Sequence, residues 1–370
     1  HWHAALTSSD PVGEPAPLRS RMSSLDEMMS RAHALPEDVL NELNDLQMQV
    51  GKLVDPASVL MRGVPAGQVA AEWTDLKKLK SVRDFWATNA GDWSDWKRAT
   101  VKGRANRFVS HSWSPPGNWH KIMGDKSDYF EVKATEIAVI AMDLAQNGQD
   151  WKNDVSLWVD KCCIPQTHAL MPTCVGLLEE FIRRSDGMIV LLSWHYFERL
   201  WCVYEWAAFL VHHKPMDISI CVEAFMLPGT VPIYVDSIEK LSVKSCECYN
   251  EGDRETLRIK VQEYYNSSEA FERFAKLTAI GLLALTVMRK ASREPSGSVS
   301  AYIAPWSALA LRLGFEKLNA AILEAEPQRW RAEAKAHAQS VNENTSIGLS
   351  GTSTWRSAYN RGLPSASSRS

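Results

Sequence analysis

SDGMIVLLSWHYFERLWCVYE, residues 185–205, is the stretch that decides the fold. Met188, Ile189, Val190, Leu191 and Leu192 form an unbroken apolar run between Gly187 and Ser193. A run this short, closed by turn residues, reads as a strand buried on both faces, as in a parallel sheet. A helix follows, starting near Arg199 and running through Trp206 to about Val211. Trp201, Cys202, Glu205 and Phe209 share one stripe of it by the i, i+3, i+4 rule. Strand followed directly by helix is half of a βαβ unit.

Working outward, the same alternation recurs. Strands are expected at 107–112, 155–159, 187–192, 218–222 and 231–235. One intervening helix carries Thr135, Ala138, Val139 and Met142 on a face, and another carries Cys174, Val175, Leu178, Phe181 and Ile182. Residues 104–236 are therefore predicted to form an α/β domain with a doubly wound parallel sheet. Helical flanks enclose it. Residues 25–103 read as an accessory region, with Leu40, Leu43, Leu46 and Val50 at helical spacing, then Val69, Trp73, Leu76, Leu79 and Lys80. Residues 237–338 read as a C-terminal extension with helices around Leu257, Val261, Tyr264 and Tyr265, then 271–288, then 306–325. The Pro- and Ser-rich lead-in 1–24 and the Ser-rich tail 339–370 are expected to be disordered.

The chain has 370 residues, 41 Lys and Arg against 44 Asp and Glu, and a net charge of −3, which gives no basic footprint for nucleic acid. Its longest apolar run, 277–288, is bracketed by Lys276 and Arg289 and falls short of the roughly 20 residues that span a bilayer. No membrane span is expected. The 7 cysteines include the adjacent Cys162 and Cys163 and lack disulfide-framework or paired C-x-x-C spacing. Free thiols, no metal and a cytoplasmic location are the expectation. The 15 tryptophans are read as core and interface packing.

No phosphate loop, G-x-G-x-x-G fingerprint, H-E-x-x-H or G-x-S-x-G elbow occurs, which excludes the nucleotide-triphosphate engines, Rossmann dehydrogenases, zincins and ordinary serine hydrolases built on them. In an open α/β sheet, ligands bind beyond the carboxyl ends of the strands. The residues there are Ser110, His111, Ser112 and Trp113, then Asp160 and the stretch to Gln166, then Ser193 to Tyr196. Ser193 beside His195 lacks a third orienting group and does not make a triad. Glu205, flanked by Trp201 and Cys202, is the carboxylate in the most unusual setting, because such groups are rarely buried without a partner.

Phe108-Val109-Ser110, Trp158-Val159-Asp160, the run 177–193, Tyr196 and Trp201-Cys202-x-x-Glu205 occur in the order and spacing of the TIR family, and the last resembles the plant TIR "WCxxE". The resemblance covers about a third of the chain. It implies a flavodoxin-like signalling domain that self-associates into a homo-oligomer. In a subset of the family it implies cleavage of NAD+ at the nicotinamide-ribose bond, with NAD+ as substrate rather than cofactor and Glu205 as the catalytic carboxylate. Ser110, His111, Ser112, Trp113, Asp160, Ser193, Trp201 and Cys202 are the candidate substrate-binding residues. Asn106, His111, Ser112 and Trp113 depart from the usual residues of the first-strand box, so the family's ribose and phosphate contacts do not carry over. Two readings stay open, an NAD+ glycohydrolase and a non-catalytic interaction module. The first requires Glu205 at the floor of a crevice open enough for a dinucleotide, with Ser110 to Trp113 and Asp160 facing it, and the second does not.

Overall fold

Six strands make one mixed sheet: β1 (Arg62–Pro65), β2 (Thr100–Val101), β3 (Arg107–His111), β4 (Ser156–Trp158), β5 (Met188–Leu191) and β6 (Ile218–Ile220), in the order β2-β1-β4-β3-β5-β6. This computed structural model describes residues 36–324, apart from 90, 147, 167, 223, 249, 250 and 294–298. The lead-in 1–24 and the tail 339–370 lie outside the described residues.

The helices that position the site are α1 (Glu37–Val50), α2 (Leu76–Trp86), α3 (Tyr129–Leu144), α4 (Leu178–Arg183), α5 (Leu200–His212) and α6 (Val231–Lys240). They are followed by α7 (Glu251–Tyr265), α8 (Ser268–Arg293), α9 (Val299–Arg312) and α10 (Glu316–Glu324). β3, β4, β5 and β6 are parallel, with Phe108 opposite both Trp158 and Met188 and Met188 opposite Ile218. The chain moves from β3 to β4 on one side, then back across β3 to β5. With right-handed crossovers this reversal puts α3 on one face and α4 and α5 on the other. β5 is buried along its whole length, as its apolar run predicts. Gly187 lets it enter, since a Cβ there would stand 2.5 Å from the Asp217 carbonyl oxygen and 2.9 Å from Arg107 Nε.

Two expectations change. Residues 231–235 are the start of α6 rather than a strand. Val231, Ile233 and Val235 alternate with more polar neighbours, but the residues that bury are Tyr234, Ser237 and Ile238, at helical spacing. The accessory region 25–103 supplies helices α1 and α2 as expected, and also two strands. β1 pairs antiparallel with the edge of β4, with Val64 opposite Leu157, and β2 pairs with β1. Arg62-Gly63-Val64-Pro65 is too short, and too rich in Gly and Pro, to announce itself as a strand. Its pairing comes from the tertiary fold, which covers an otherwise open sheet edge.

α3 is buried at seven consecutive positions, from Val132 through Ala138, because it packs against both α2 and β5. The C-terminal helices are equally integral. α7 and α8 pack on α5, and the Lys260 ammonium of α7 bonds both carboxylate oxygens of Glu179 in α4, at 2.8 and 2.7 Å. One hydrophobic core runs from Val39 to Ile322 through both flanks. The helix expected over 306–325 breaks into α9 and α10 at Gly314, whose φ of +71° suits glycine. Among the described residues, no helix is long and apolar enough to cross a membrane.

Candidate functional site

A crevice opens beyond the carboxyl ends of β3 and β4 and is closed on its far side by the start of α5. Seven of the nine candidate residues line it: His111, Ser112, Trp113, Asp160, Trp201, Cys202 and Glu205. The crevice has an inner cavity of ≈ 90 Å³. Trp113 and Trp201 are half-buried walls that leave it open.

Strand alternation explains how β3 serves two layers, since neighbouring side chains point to opposite faces. Ser110 turns toward α5 and lies 2.6 Å from Glu205 Oε2, to which its hydroxyl can donate. The same Ser110 oxygen is 2.6 Å from Tyr196 Oη, and Tyr196 Oη donates to the Cys202 carbonyl at 3.0 Å. Ser110 is thus a fully buried support beneath Glu205 rather than a lining residue. Glu205 lies in the second turn of α5, keeps partial solvent contact and is pushed up to about 8, by burial first and by the charge of Asp160 second, against the Ser110 hydrogen bond.

His111 turns toward α3, where its Nδ1 lies 2.9 Å from Lys133 Nζ. Lys133 was not foreseen as part of the site. Its ammonium is fully buried, donates to the Ser112 carbonyl at 2.9 Å and is boxed by the rings of Trp86, Trp113 and Tyr129 at 4.8, 5.1 and 5.0 Å. Burial holds Lys133 well below the usual lysine range. Burial, then the neighbouring Lys133, hold His111 well below its ordinary value, so the ring is neutral. His111 Nδ1 also lies 3.1 Å from the Ser112 carbonyl oxygen, so this one ring nitrogen faces both the lysine and a backbone acceptor.

Asp160 opens a short helical turn after β4. It accepts from Trp113 Nε1 at 3.0 Å and from the Lys161 backbone N–H at 2.7 Å. Burial raises its carboxyl, opposed by those two donors and by the charges of Lys133 and Lys161. The Lys161 ammonium is itself buried, donating to the Phe85 and Thr88 carbonyls at 2.6 and 3.0 Å, which ties the crevice wall to the end of α2. Cys202 lines the crevice with its thiol pushed well above its ordinary value by burial, so it offers no thiolate nucleophile at neutral pH.

Ser193 is the candidate that the fold does not bring to the crevice. It is fully buried and lies 3.1 Å from His195 Nδ1. His195 Nε2 lies 2.8 Å from Ser112 Oγ, so this imidazole braces the loop after β3, and burial lowers it to about 4.

The rim brings residues that the βα pattern did not mark, Asn89, Arg199 and Glu247. Asn89 and Glu247 come from the flanks, where nothing in the sequence marks a ligand site. Arg199 Nη1 donates to Glu247 Oε2 at 2.7 Å, and a short parallel bridge pairs these two residues' backbones. Among the described residues, Arg199 is the only permanently cationic side chain lining the crevice.

The chain matches no family model, no curated protein and no solved structure. The chemistry of the site therefore rests on its own residues. Among the described residues, no group of three or more His, Cys, Asp or Glu side chains could hold a metal ion. The arrangement offers the Asp160 and Glu205 carboxylates beside two indole rings, with the Arg199–Glu247 ion pair at the rim.

Proposed function

We propose that this chain is a TIR-like protein that hydrolyses the nicotinamide-ribose bond of NAD+, with Glu205 as the catalytic carboxylate. The observation that carries the proposal is the position of Glu205 at the floor of an open crevice between Trp113, Trp201 and Asp160. The strand order β4-β3-β5-β6, with one reversal, supports the flavodoxin-like reading of the parallel part.

The inner space is far too small for a whole dinucleotide, so on this reading only the nicotinamide end enters and the remainder extends toward the mouth. There Arg199 is placed to meet the pyrophosphate, in exchange for Glu247. Cleavage sends the C1′–N bonding electrons to the pyridinium nitrogen, releasing neutral nicotinamide and leaving positive charge on the ribose. The ionised Glu205 carboxylate stabilises that oxocarbenium-like state. Water then adds at C1′ and loses its proton, giving ADP-ribose. Trp113 and Trp201 supply aromatic faces to the cationic ring. The same reading implies self-association, which light scattering across a concentration series measures.

The test is nicotinamide release from NAD+ by concentrated protein beside the Glu205→Ala variant, with folding of both checked by circular dichroism. Turnover by the wild type and none by the folded variant is the expected result. No turnover by the wild type at any concentration overturns the proposal in favour of a non-catalytic interaction module.

A further inference from the structure

The hydrogen-bond chain beneath Glu205 contains three contacts: Glu205 to Ser110 at 2.6 Å, Ser110 to Tyr196 at 2.6 Å, and Tyr196 to the Cys202 carbonyl at 3.0 Å. Each contact needs one proton between its oxygens. Ser110 and Tyr196 each carry one hydroxyl proton, and a carbonyl carries none. The third proton has one available source, the carboxylic acid of Glu205. All three bonds exist together when Glu205 is neutral, with the acid donating to Ser110, Ser110 to Tyr196, and Tyr196 to the Cys202 carbonyl. When Glu205 ionises, Ser110 turns its proton to the carboxylate, and Tyr196 must choose between Ser110 and the Cys202 carbonyl.

Asp160, the other crevice carboxylate, makes no such demand, because both its hydrogen bonds come from N–H donors. The remaining charged or titratable neighbours are accounted for. His111 at the end of β3 faces Lys133, Arg199 ahead of α5 is paired with Glu247, and the Cys202 thiol is buried.

We infer that Glu205 is a neutral acid before a ligand binds, and that a cationic ring entering beside Trp113 and Trp201 expels its proton to solvent. Ser110 and Tyr196 are the positioning residues that set this exchange. The exchange rests on the nicotinamide-cleaving reading and deepens it, making the crevice selective for pyridinium over uncharged rings of the same shape. The balance is simple. One carboxylic acid proton leaves as one ligand cation arrives, and no covalent bond changes.

The test uses 1-methylnicotinamide, a pyridinium with no glycosidic bond to cleave, and its neutral isostere 3-methylbenzamide. Titration calorimetry in two buffers of different ionisation enthalpy counts the protons exchanged. The cation's association constant is expected to rise toward tenfold per pH unit between pH 6 and pH 7 with release of close to one proton, while the neutral isostere shows neither effect.

The variants move this profile in opposite directions. Ser110→Ala removes the donor to the carboxylate and shifts the rise to higher pH. Tyr196→Phe removes the acceptor that the neutral arrangement needs and shifts the rise to lower pH. Glu205→Gln makes binding of the cation independent of pH. A purely structural role for Tyr196 would lower affinity equally at every pH. Cation binding that is independent of pH in the wild type overturns the inference and leaves the glycohydrolase reading standing, as does failure of the cation to bind while NAD+ is still cleaved. Absence of NAD+ turnover overturns the glycohydrolase reading separately.

Discussion

Replacing Glu205 with glutamine stabilises the folded protein at alkaline pH and changes it little in acid. Glutamine has the shape of the neutral acid and donates to Ser110 as the acid does, while never acquiring a charge. In the wild type, Glu205 sits at about 8 in the fold against an ordinary 4.5, chiefly through burial. A carboxyl raised on folding binds its proton more tightly in the folded state, so its contribution is fully present below about 4.5 and is lost as pH rises through about 8. At about 1.36 kcal/mol per pH unit the whole interval is worth roughly 4 to 5 kcal/mol. Because Glu205 touches water at the crevice mouth, screening reduces this to about 2 to 4 kcal/mol. Urea unfolding of wild type and Glu205→Gln at pH 4.5 and pH 9 reads the difference directly. Near-equality at pH 4.5 and a variant more stable by about 2 to 4 kcal/mol at pH 9 are expected. An identical difference at both values refutes the reasoning, because glutamine would then act through packing alone.

Lys133 is held by carbonyl and ring contacts without a carboxylate partner, and the Ser112 carbonyl keeps the Tyr129 hydroxyl at 2.9 Å when the amine is gone. Lys133→Met is therefore expected to cost less than about 1.5 kcal/mol and Lys133→Ala about 2 to 4, compared by urea midpoints. Equal costs would show that the ammonium, not the filled volume, matters. Lys260→Ala leaves Glu179 buried without its ammonium and is expected to cost about 3 to 5 kcal/mol, most of it recovered by also changing Glu179 to Gln. His195 is lowered to about 4 by burial, so its contribution is full above an ordinary 6.5 and is lost as pH falls through about 4. Its NMR titration is expected to stay flat from pH 8 to pH 5, and a midpoint near 6.5 would contradict the buried position. Gly187→Ala forces a Cβ onto the Asp217 carbonyl and is expected to cost about 1 to 3 kcal/mol in thermal unfolding.

The parallel strands were legible because burial on both faces writes itself as an apolar run, and β5 is the cleanest case. The same logic failed at 231–235, where the alternating Val231, Ile233 and Val235 imitate a half-buried strand. Tyr234, Ser237 and Ile238 decide the matter, and Pro232 fits the first turn of a helix, where its missing N–H costs nothing. β1 and β2 left no trace in the sequence. Their pairing is supplied by the exposed edge of β4, and no local pattern encodes an edge that needs covering. Glu205 was legible from its place one and a half turns into the helix that follows β5. Lys133 offered a signal that periodicity overlooks, a lysine between Val132 and Ala134 on a helix otherwise fit for burial. A cation on such a helix needs a local solution, and here three aromatic rings provide it.

Trp113 explains why a crevice with two amines behind it still presents an acidic face. Its ring centre lies 5.1 Å from Lys133 Nζ and 5.8 Å from Lys161 Nζ, while its Nε1–H donates to Asp160. The indole thus packs near both ammonium groups while its N–H edge meets the carboxylate. Burial is the largest influence on Asp160 and raises its carboxyl, and the charges of Lys133 and Lys161 oppose it behind the two N–H donors. The two lysines cannot themselves meet a ligand, since both are buried. Burial does most to raise Glu205, and negative charge on Asp160 adds to it. The buried lysines therefore act on the ligand at one remove. They offset part of the effect of burial on Asp160, whose charge in turn bears on Glu205.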